Sequence, residues 1–249
     1  MQFLHLTNIS VLMKLSVIIP LYNEEFTINK VISELNNVQM PSFINFLEIL
    51  VVDDASTDHS LSEVEKIVNQ YPAVKILKQT KNKGKGAAVR LGFSKAEGDI
   101  LLVQDADLEL NTADIPVLIN AMYETGVEFV NGSRYMPGIV RPLYSYKRYL
   151  ANKFFSFLTS FFINVRITDM ACGYKLIKKS LLERINLKEN RFGFEAELLI
   201  KALREKKNNI AEVPVHYYPR NEGEGKKIRN ADAFLIMWVI IKYAIFRLR

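Results

Sequence analysis

The chain is poor in the residue types that carry thiol and zinc chemistry. One cysteine, Cys172, and three scattered histidines, His5, His59 and His216, occur in 249 residues. A lone thiol excludes an internal disulfide framework and suits a reducing compartment. No CxxC or HExxH pattern is present, so no zinc site is expected. Long apolar runs are missing too. The nearest, residues 233–241, is broken by Lys242 and falls short of the roughly 20 apolar residues that cross a bilayer. Residues 1–12 carry no Lys or Arg and lack the features of a signal peptide. Glycine signatures are incomplete as well. Gly84-Lys85-Gly86 lacks the third glycine of the dinucleotide fingerprint and the spacing of a P-loop, which excludes a Rossmann oxidoreductase and a P-loop NTPase. No internal repeat or low-complexity linker is visible.

Basic charge and alternating apolar runs are what the chain does have. A net charge of +6 and a pI near 9.2 suit an anionic partner: nucleic acid, lipid headgroups or a phosphorylated substrate. Strands are expected at 15–19 (ended by Pro20), 47–52, 74–77, 100–103, 128–131, 174–177 and 210–215. Helical periodicity runs over 24–38, 86–96 and 195–205, and through Leu61, Val64, Ile67 and Val68, and Ile115, Leu118, Ile119 and Met122. This alternation predicts an α/β fold, a mostly parallel sheet with helices on both faces. The expected organisation is an N-terminal extension over 1–12, one domain over 13–230, and an apolar C-terminal helix over 231–249. That helix either lies in a membrane interface or docks on the protein.

The chemistry collects where strands end. Asp105-Ala106-Asp107-Leu108-Glu109 follows the apolar run Ile100-Leu101-Leu102-Val103. Carboxylates at i, i+2 and i+4 past a strand can jointly hold a hard divalent cation, or form a solvated acidic turn. Pro20-Leu21-Tyr22-Asn23-Glu24-Glu25 follows the first strand, Asp53-Asp54-Ala55-Ser56-Thr57-Asp58 the second, and Asn82-Lys83-Gly84-Lys85-Gly86 opens the third helix. Asn23 and Ser60 also suit helix N-caps. Lys85 between two glycines at a helix start can contact an anion. Four such clusters on one sheet edge suggest a nucleotide pocket.

In this order these segments resemble glycosyltransferase family 2. The downstream segments Gly132-Ser133-Arg134-Tyr135, Asp169-Met170-Ala171-Cys172-Gly173-Tyr174-Lys175-Leu176, Phe194-Glu195-Ala196-Glu197, Glu212-Val213-Pro214-Val215 and Arg220 to Lys227 resemble the polyprenyl-phosphate (dolichyl-phosphate) mannose and glucose synthases. The resemblance implies a GT-A fold, a nucleotide-sugar donor such as UDP-glucose or GDP-mannose, and Mg²⁺ or Mn²⁺. It places Pro20, Tyr22 and Glu24 at the nucleoside and has Asp54 receive a hydrogen bond from the base. Asp105 is placed near the sugar and phosphates, with Asp107 and Glu109 as metal ligands. Glu109 stands where mannose synthases commonly carry Gln, and Gly225 where the pattern often has Ser.

Departure of a nucleoside diphosphate builds charge on its β-phosphate, which a metal and cations stabilise. Arg220 and Lys226 are the candidates. A phosphate monoester acceptor is already anionic and needs cations rather than a base. The resemblance gives that task to Arg134 and Arg148, with Asp169 able to orient one of them and Glu195 and Glu197 as support. The aromatic stretch 154–162 reads either as core or as an interfacial seat for the polyprenyl chain. Trp238, Tyr243, Arg247 and Arg249 suit the same headgroup depth.

The expected function is therefore an inverting, metal-dependent hexosyl transfer to a polyprenyl phosphate, by an enzyme peripheral to the cytoplasmic membrane face without a spanning helix. One alternative is transfer to a glycan or protein hydroxyl, which needs a catalytic base. A second is a non-catalytic nucleotide-binding or nucleic-acid-binding protein. The acidic clusters, and the lack of a basic aromatic strand surface, count against nucleic acid.

Overall fold

A computed structural model describes residues 12–140, 145–205, 210–220 and 230–246. Its strands are β1 (Met13–Leu21), β2 (Ile44–Asp53), β3 (Val74–Lys78), β4 (Ile100–Val103), β5 (Phe129–Ser133), β6 (Lys175–Lys178) and β7 (Ile210–Pro214). Runs such as Ile49-Leu50-Val51-Val52 are apolar at every position and buried throughout, as a strand covered on both faces requires. The seven strands form one sheet in the order β3-β2-β1-β4-β6-β5-β7. Every neighbouring pair is parallel except the two that β6 makes, with β4 and with β5. A mostly parallel sheet was expected, but its single reversed strand was not.

The first strand runs through Pro20 to Leu21 instead of stopping before it. Ile18 O accepts the Gln104 N–H on the β4 side, whereas Leu21 O accepts the Asp54 N–H on the β2 side. This alternation turns the Pro20 nitrogen toward β4, whose pairing with β1 has already ended at Val103. The missing N–H therefore removes no ladder bond.

The helices are α1 (Ile28–Asn37), α2 (Ser60–Ile67), α3 (Lys85–Lys95), α4 (Ile115–Thr125), α5 (Tyr146–Ile163), α6 (Lys179–Leu182), α7 (Gly193–Glu205) and α8 (Asn230–Ile240), with α8 continuing as a π-turn over Ile241–Ile245. Leu15, Val17 and Ile19 pack with α1, α2 and α4 on one face of the sheet. Ile18, Leu50 and Val52 pack with α3, α5, α6, α7 and α8 on the other. The open question about the last helix resolves toward docking: Val239, Ile240, Tyr243 and Ala244 are buried. Tyr243, expected at headgroup depth, instead donates its hydroxyl to Glu189.

The aromatic stretch 154–162, read as either core or an interfacial seat, divides between the faces of α5. Asn152, Phe155, Ser156, Thr159 and Ile163 are buried. Leu150, Phe154, Phe157 and Phe161 form an exposed stripe at 4-3-4 spacing, with Phe157 at 63% and Phe161 at 69% exposure. Trp238 (56%) and Phe234 (80%) on α8, which packs against α5, are exposed as well. No described helix is long and apolar enough to cross a membrane.

Candidate active site

Six strands point their carboxyl ends at one edge of the sheet, and reversed β6 enters there through the segment 169–174. Chain order moves from β1 outward to β2 and β3, then returns to β4 on the other side of β1. Open α/β sheets bind ligands at such a switch point. Asp105, Asp107 and Glu109 leave β4 there, beside the β1 loop that carries Tyr22 and Glu24.

The two loops flanking the crevice are tied to each other. Asn23, at φ 54°, donates from Nδ2 to Thr57 Oγ1, and its Oδ1 accepts the Thr57 N–H at 2.8 Å. The Glu24 N–H donates to Ser60 Oγ at 2.7 Å. Neither Asn23 nor Ser60 is an N-cap: α1 begins after Thr27 and α2 after His59, both without a side-chain cap. The predicted helix over 24–38 consequently starts four residues late, because its first turn is spent linking β1 to β2.

At the centre are two cations among five carboxylates. Lys85 Nζ lies 2.6 Å from both Asp105 Oδ1 and Glu195 Oε1. The Arg220 guanidinium binds Glu24 through both oxygens, at 2.9 and 3.3 Å, and Asp107 Oδ2 at 3.1 Å. Its Nε is 3.7 Å from Glu109 Oε1. Burial opposes the charge on Lys85, but Asp105 and Glu195 outweigh it and keep the ammonium protonated. Asp107 is short of positive charge. Burial, then the neighbouring Asp105 and Glu109, push its carboxyl up to about 7 despite Arg220.

The glycine loop works differently from expectation. A Cβ on Gly84 (φ 96°) would lie 2.6 Å from Asn190 O, and one on Gly86 would meet Glu189 O and the Phe194 Cβ. These glycines admit the segment 189–194, and the Ala87 N–H donates to Asn190 O. Replacing Gly86 with Ala should cost about 1–3 kcal/mol through overpacking, read as a lower urea midpoint. An unchanged midpoint would show that the contact relaxes freely. Asp54 was expected to meet the base. Only 2% exposed, its carboxylate accepts bonds from Gln79 Nε2 and from the N–H groups of Lys83 and Gly84. It thereby braces the loop. Glu197 also lies elsewhere, fully buried, where it accepts from the N–H groups of Lys188 and Glu189 and pairs with Lys201.

Beside the acids lies a cationic cavity of about 260 Å³, lined by Arg134, Tyr135, Met136, Pro137, Ile139, Tyr149 and Lys153. Arg134 donates from Nε and Nη2 to the two oxygens of Asp169, at 2.7 and 2.9 Å, and its backbone N–H adds a third bond. Asp169 is fully buried; Arg134 more than offsets that cost and holds its carboxyl below the ordinary range. Asn131 and Glu212 anchor the Thr168-Asp169 turn from below. Tyr217 joins cavity to crevice: its hydroxyl donates to Glu109 at 2.8 Å, and Arg134 sits 5.0 Å from its ring centre. Burial pushes the Cys172 thiol up to about 12, so it is no nucleophile.

A sheet of this order, with acids at its switch point, has counterparts of known kind. The family model described as glycosyl transferase family 2 matches residues 16–185. The chain belongs to glycosyltransferase family 2. Among curated relatives, a dolichol-phosphate mannosyltransferase of Pyrococcus furiosus is 35% identical over 216 residues, covering 86% of this chain and 59% of the relative. The chain thus spans about three fifths of that protein. A dolichol-phosphate mannosyltransferase of Saccharomyces cerevisiae is 32% identical over 218 residues, covering 85% of this chain and 80% of the relative. The dolichyl-phosphate beta-glucosyltransferase of Trichomonas vaginalis is 30% identical over 248 residues, covering 93% and 73%. Among solved structures, glucosyl-3-phosphoglycerate synthase from Mycobacterium tuberculosis, in complex with Mn²⁺, UDP and glucosyl-3-phosphoglycerate, aligns with a TM-score of 0.71 at 19% identity. It covers 93% of this chain and 80% of that one, and shows the shared GT-A-like fold.

The transferase fold therefore collects most, but not all, of the residues expected to act together. Glu24, Lys85, Asp105, Asp107, Glu109, Glu195 and Arg220 meet in the crevice, and Pro20 and Tyr22 lie half-buried at the end of β1. Arg134 and Asp169 pair in the adjoining cavity. Arg148 is exposed on the first turn of α5 and does not line that cavity; Lys153, a turn later, does. Lys226, Arg247 and Arg249 fall outside the described residues. Lys153 and Tyr217 were missed. Lys153 sits four residues after Tyr149, which puts both on one helix face, but nothing in sequence turns that face to the cavity.

The expected metal ligands are present but not gathered as a cage: no group of three such side chains is assembled among the described residues. Asp105 turns to Lys85, while Asp107 and Glu109 turn to Arg220 and Tyr217. The chemistry of the set nonetheless fits a hard divalent cation, since all donors are carboxylate oxygens and negative charges outnumber positive ones by three.

Proposed function

We propose that this family 2 glycosyltransferase moves a glucose or mannose unit, with inversion, from a nucleoside-diphosphate sugar to a polyprenyl phosphate at a membrane surface. One observation carries the reading: the acidic crevice and a cationic cavity adjoin across Tyr217, and α5 both lines that cavity and presents an outer stripe of exposed aromatics. Sugar donor, anionic headgroup and lipid chain each have a matching surface in that order. The names of the dolichyl-phosphate relatives and the Mn²⁺, UDP-glucose complex of the mycobacterial synthase agree with it.

Asp105, Asp107 and Glu109 would hold Mg²⁺ or Mn²⁺, which neutralises the diphosphate as charge develops on the leaving oxygen. Tyr22 and Glu24 flank the donor, and Lys85 keeps Asp105 and Glu195 in place. Arg220 pairs with Asp107, lies close to Glu109, and stabilises the departing β-phosphate. Arg134, fixed by Asp169, presents a planar fork to the acceptor phosphate, and Lys153 adds a second charge. Arg148 on the exposed first turn of α5 suits the lipid headgroup plane. Among the described residues the cavity lining contains no Asp, Glu or His, which disfavours a hydroxyl acceptor in need of a base.

The test combines the purified protein with labelled UDP-glucose or GDP-mannose, a short polyprenyl phosphate, and Mg²⁺ or Mn²⁺. Sugar passing into the organic phase supports the reading. Label appearing only on a soluble glycan, with none extractable from any donor, overturns it.

A further inference from the structure

We propose that Arg220 is a resident countercharge which the divalent cation must displace, so that metal binding and the seating of residues 217–220 exclude each other. The inference rests on the reading that the acids hold a cation, and not on the identity of the acceptor.

Every oxygen of Asp107 and Glu109 already has a donor. Asp107 Oδ1 accepts the Glu109 N–H at 3.0 Å, and Oδ2 accepts from Arg220 Nη2 at 3.1 Å. Glu109 Oε1 accepts the Arg220 N–H at 3.2 Å, and Oε2 accepts the Tyr217 hydroxyl at 2.8 Å. A Mg²⁺ ion needs carboxylate oxygens at about 2.0–2.1 Å and in near-octahedral geometry. Each oxygen keeps a second lone pair, but a metal taking it would stand beside the guanidinium, and two cations on one carboxylate repel.

The seat is also imperfect. Arg220 Nε is buried and has no hydrogen-bond partner among the described residues, since Glu109 Oε1 stands off at 3.7 Å. An orphaned charged donor weakens the seat relative to a fully satisfied fork. Among the described residues the segment's other contacts are the Tyr218 N–H on Glu109 O, an isolated bridge between Leu110 and Tyr217, Arg134 over the Tyr217 ring, and the packing of Tyr217 against the apolar core. Once displaced from Asp107 and Glu109, the guanidinium keeps only Glu24 as a countercharge, and a diphosphate in the crevice satisfies its remaining donors. Metal and nucleotide binding then assist each other, and the assistance is equal in both directions.

Mn²⁺ binding, followed by electron paramagnetic resonance with and without UDP or GDP and corrected for the Mn²⁺–nucleotide complex in solution, tests this without catalysis. In the wild type the nucleotide should tighten Mn²⁺. Arg220→Gln should bind Mn²⁺ alone about tenfold tighter than the wild type, with the nucleotide effect largely gone. Tyr217→Phe keeps the guanidinium and frees one Glu109 oxygen, so a smaller gain is expected; it covers the case in which Arg220→Gln fails to fold. Equal or weaker Mn²⁺ affinity in the variants, or no Mn²⁺ binding by any of the proteins, overturns the exchange. Failure to label a lipid would leave these affinities unmoved, which separates the two proposals.

Discussion

Asp107→Ala is expected to remove metal-dependent turnover, by about 100- to 1,000-fold or more in kcat/KM, and at the same time to raise the melting temperature in chelator. The first effect follows from losing one of three carboxylates that would hold the cation, and with it positive charge where the leaving phosphate's charge develops; removing single preorganised groups of this kind typically costs that much. The second follows from the fold itself. Burial and the charges of Asp105 and Glu109 disfavour an ionised carboxylate at this position. Arg220 retains Glu24 and lies close to Glu109 when Asp107 is gone. Relief of that repulsion should be worth on the order of 1 kcal/mol, or about 2–4 °C in a chain of this length. Unchanged turnover would refute the ligand role. Lost turnover with a lowered melting temperature would assign Asp107 to the fold instead.

The second large effect is expected at Asp169. Asp169→Ala removes three bonds to Arg134 and leaves a guanidinium buried without its countercharge. Breaking a buried pair from one side costs about 3–5 kcal/mol, because the remaining charge stays desolvated. A large fall in the urea midpoint is therefore expected. The folded fraction should show a raised KM for the polyprenyl phosphate and a nearly unchanged KM for the nucleotide sugar. Arg148→Ala, on an exposed turn, should leave stability alone and raise only the acceptor KM. If Asp169→Ala shifted the donor KM more than the acceptor's, the cavity would not be the acceptor site.

Much of this arrangement was legible in the amino-acid order, for reasons that differ by element. Residues such as Ile100-Leu101-Leu102-Val103 are apolar on both faces, and only a doubly covered strand accommodates that. Acids that follow such a strand after a single residue, Gln104, have nowhere to go but the sheet edge. The periodicity of Ile28, Val31, Ile32 and Leu35 likewise matched the buried face of α1. Less legible was anything decided by contacts between distant segments. Asp54 and Asp107 are both acids just past a strand, yet one is sealed by the Lys83 and Gly84 N–H groups and the other faces a cationic partner 113 residues away. Glu195 and Glu197 sit two apart at the start of α7, and helical geometry sends one to Lys85 and the other to the Lys188 loop.

Sequence alone determined the alternation of strands and helices, the edge at which the chemistry lies, and the family, since these depend on local periodicity and on ordered motifs. Tertiary structure alone decided that β6 is reversed, which brings Asp169 to the same edge and under Arg134. It also decided that Lys153 rather than Arg148 lines the cavity, that the α5 aromatics divide between core and surface, and that Arg220 occupies the acids. Each depends on which remote groups share a small, poorly solvated space, where burial and unpaired charge outweigh any preference a single residue carries by itself.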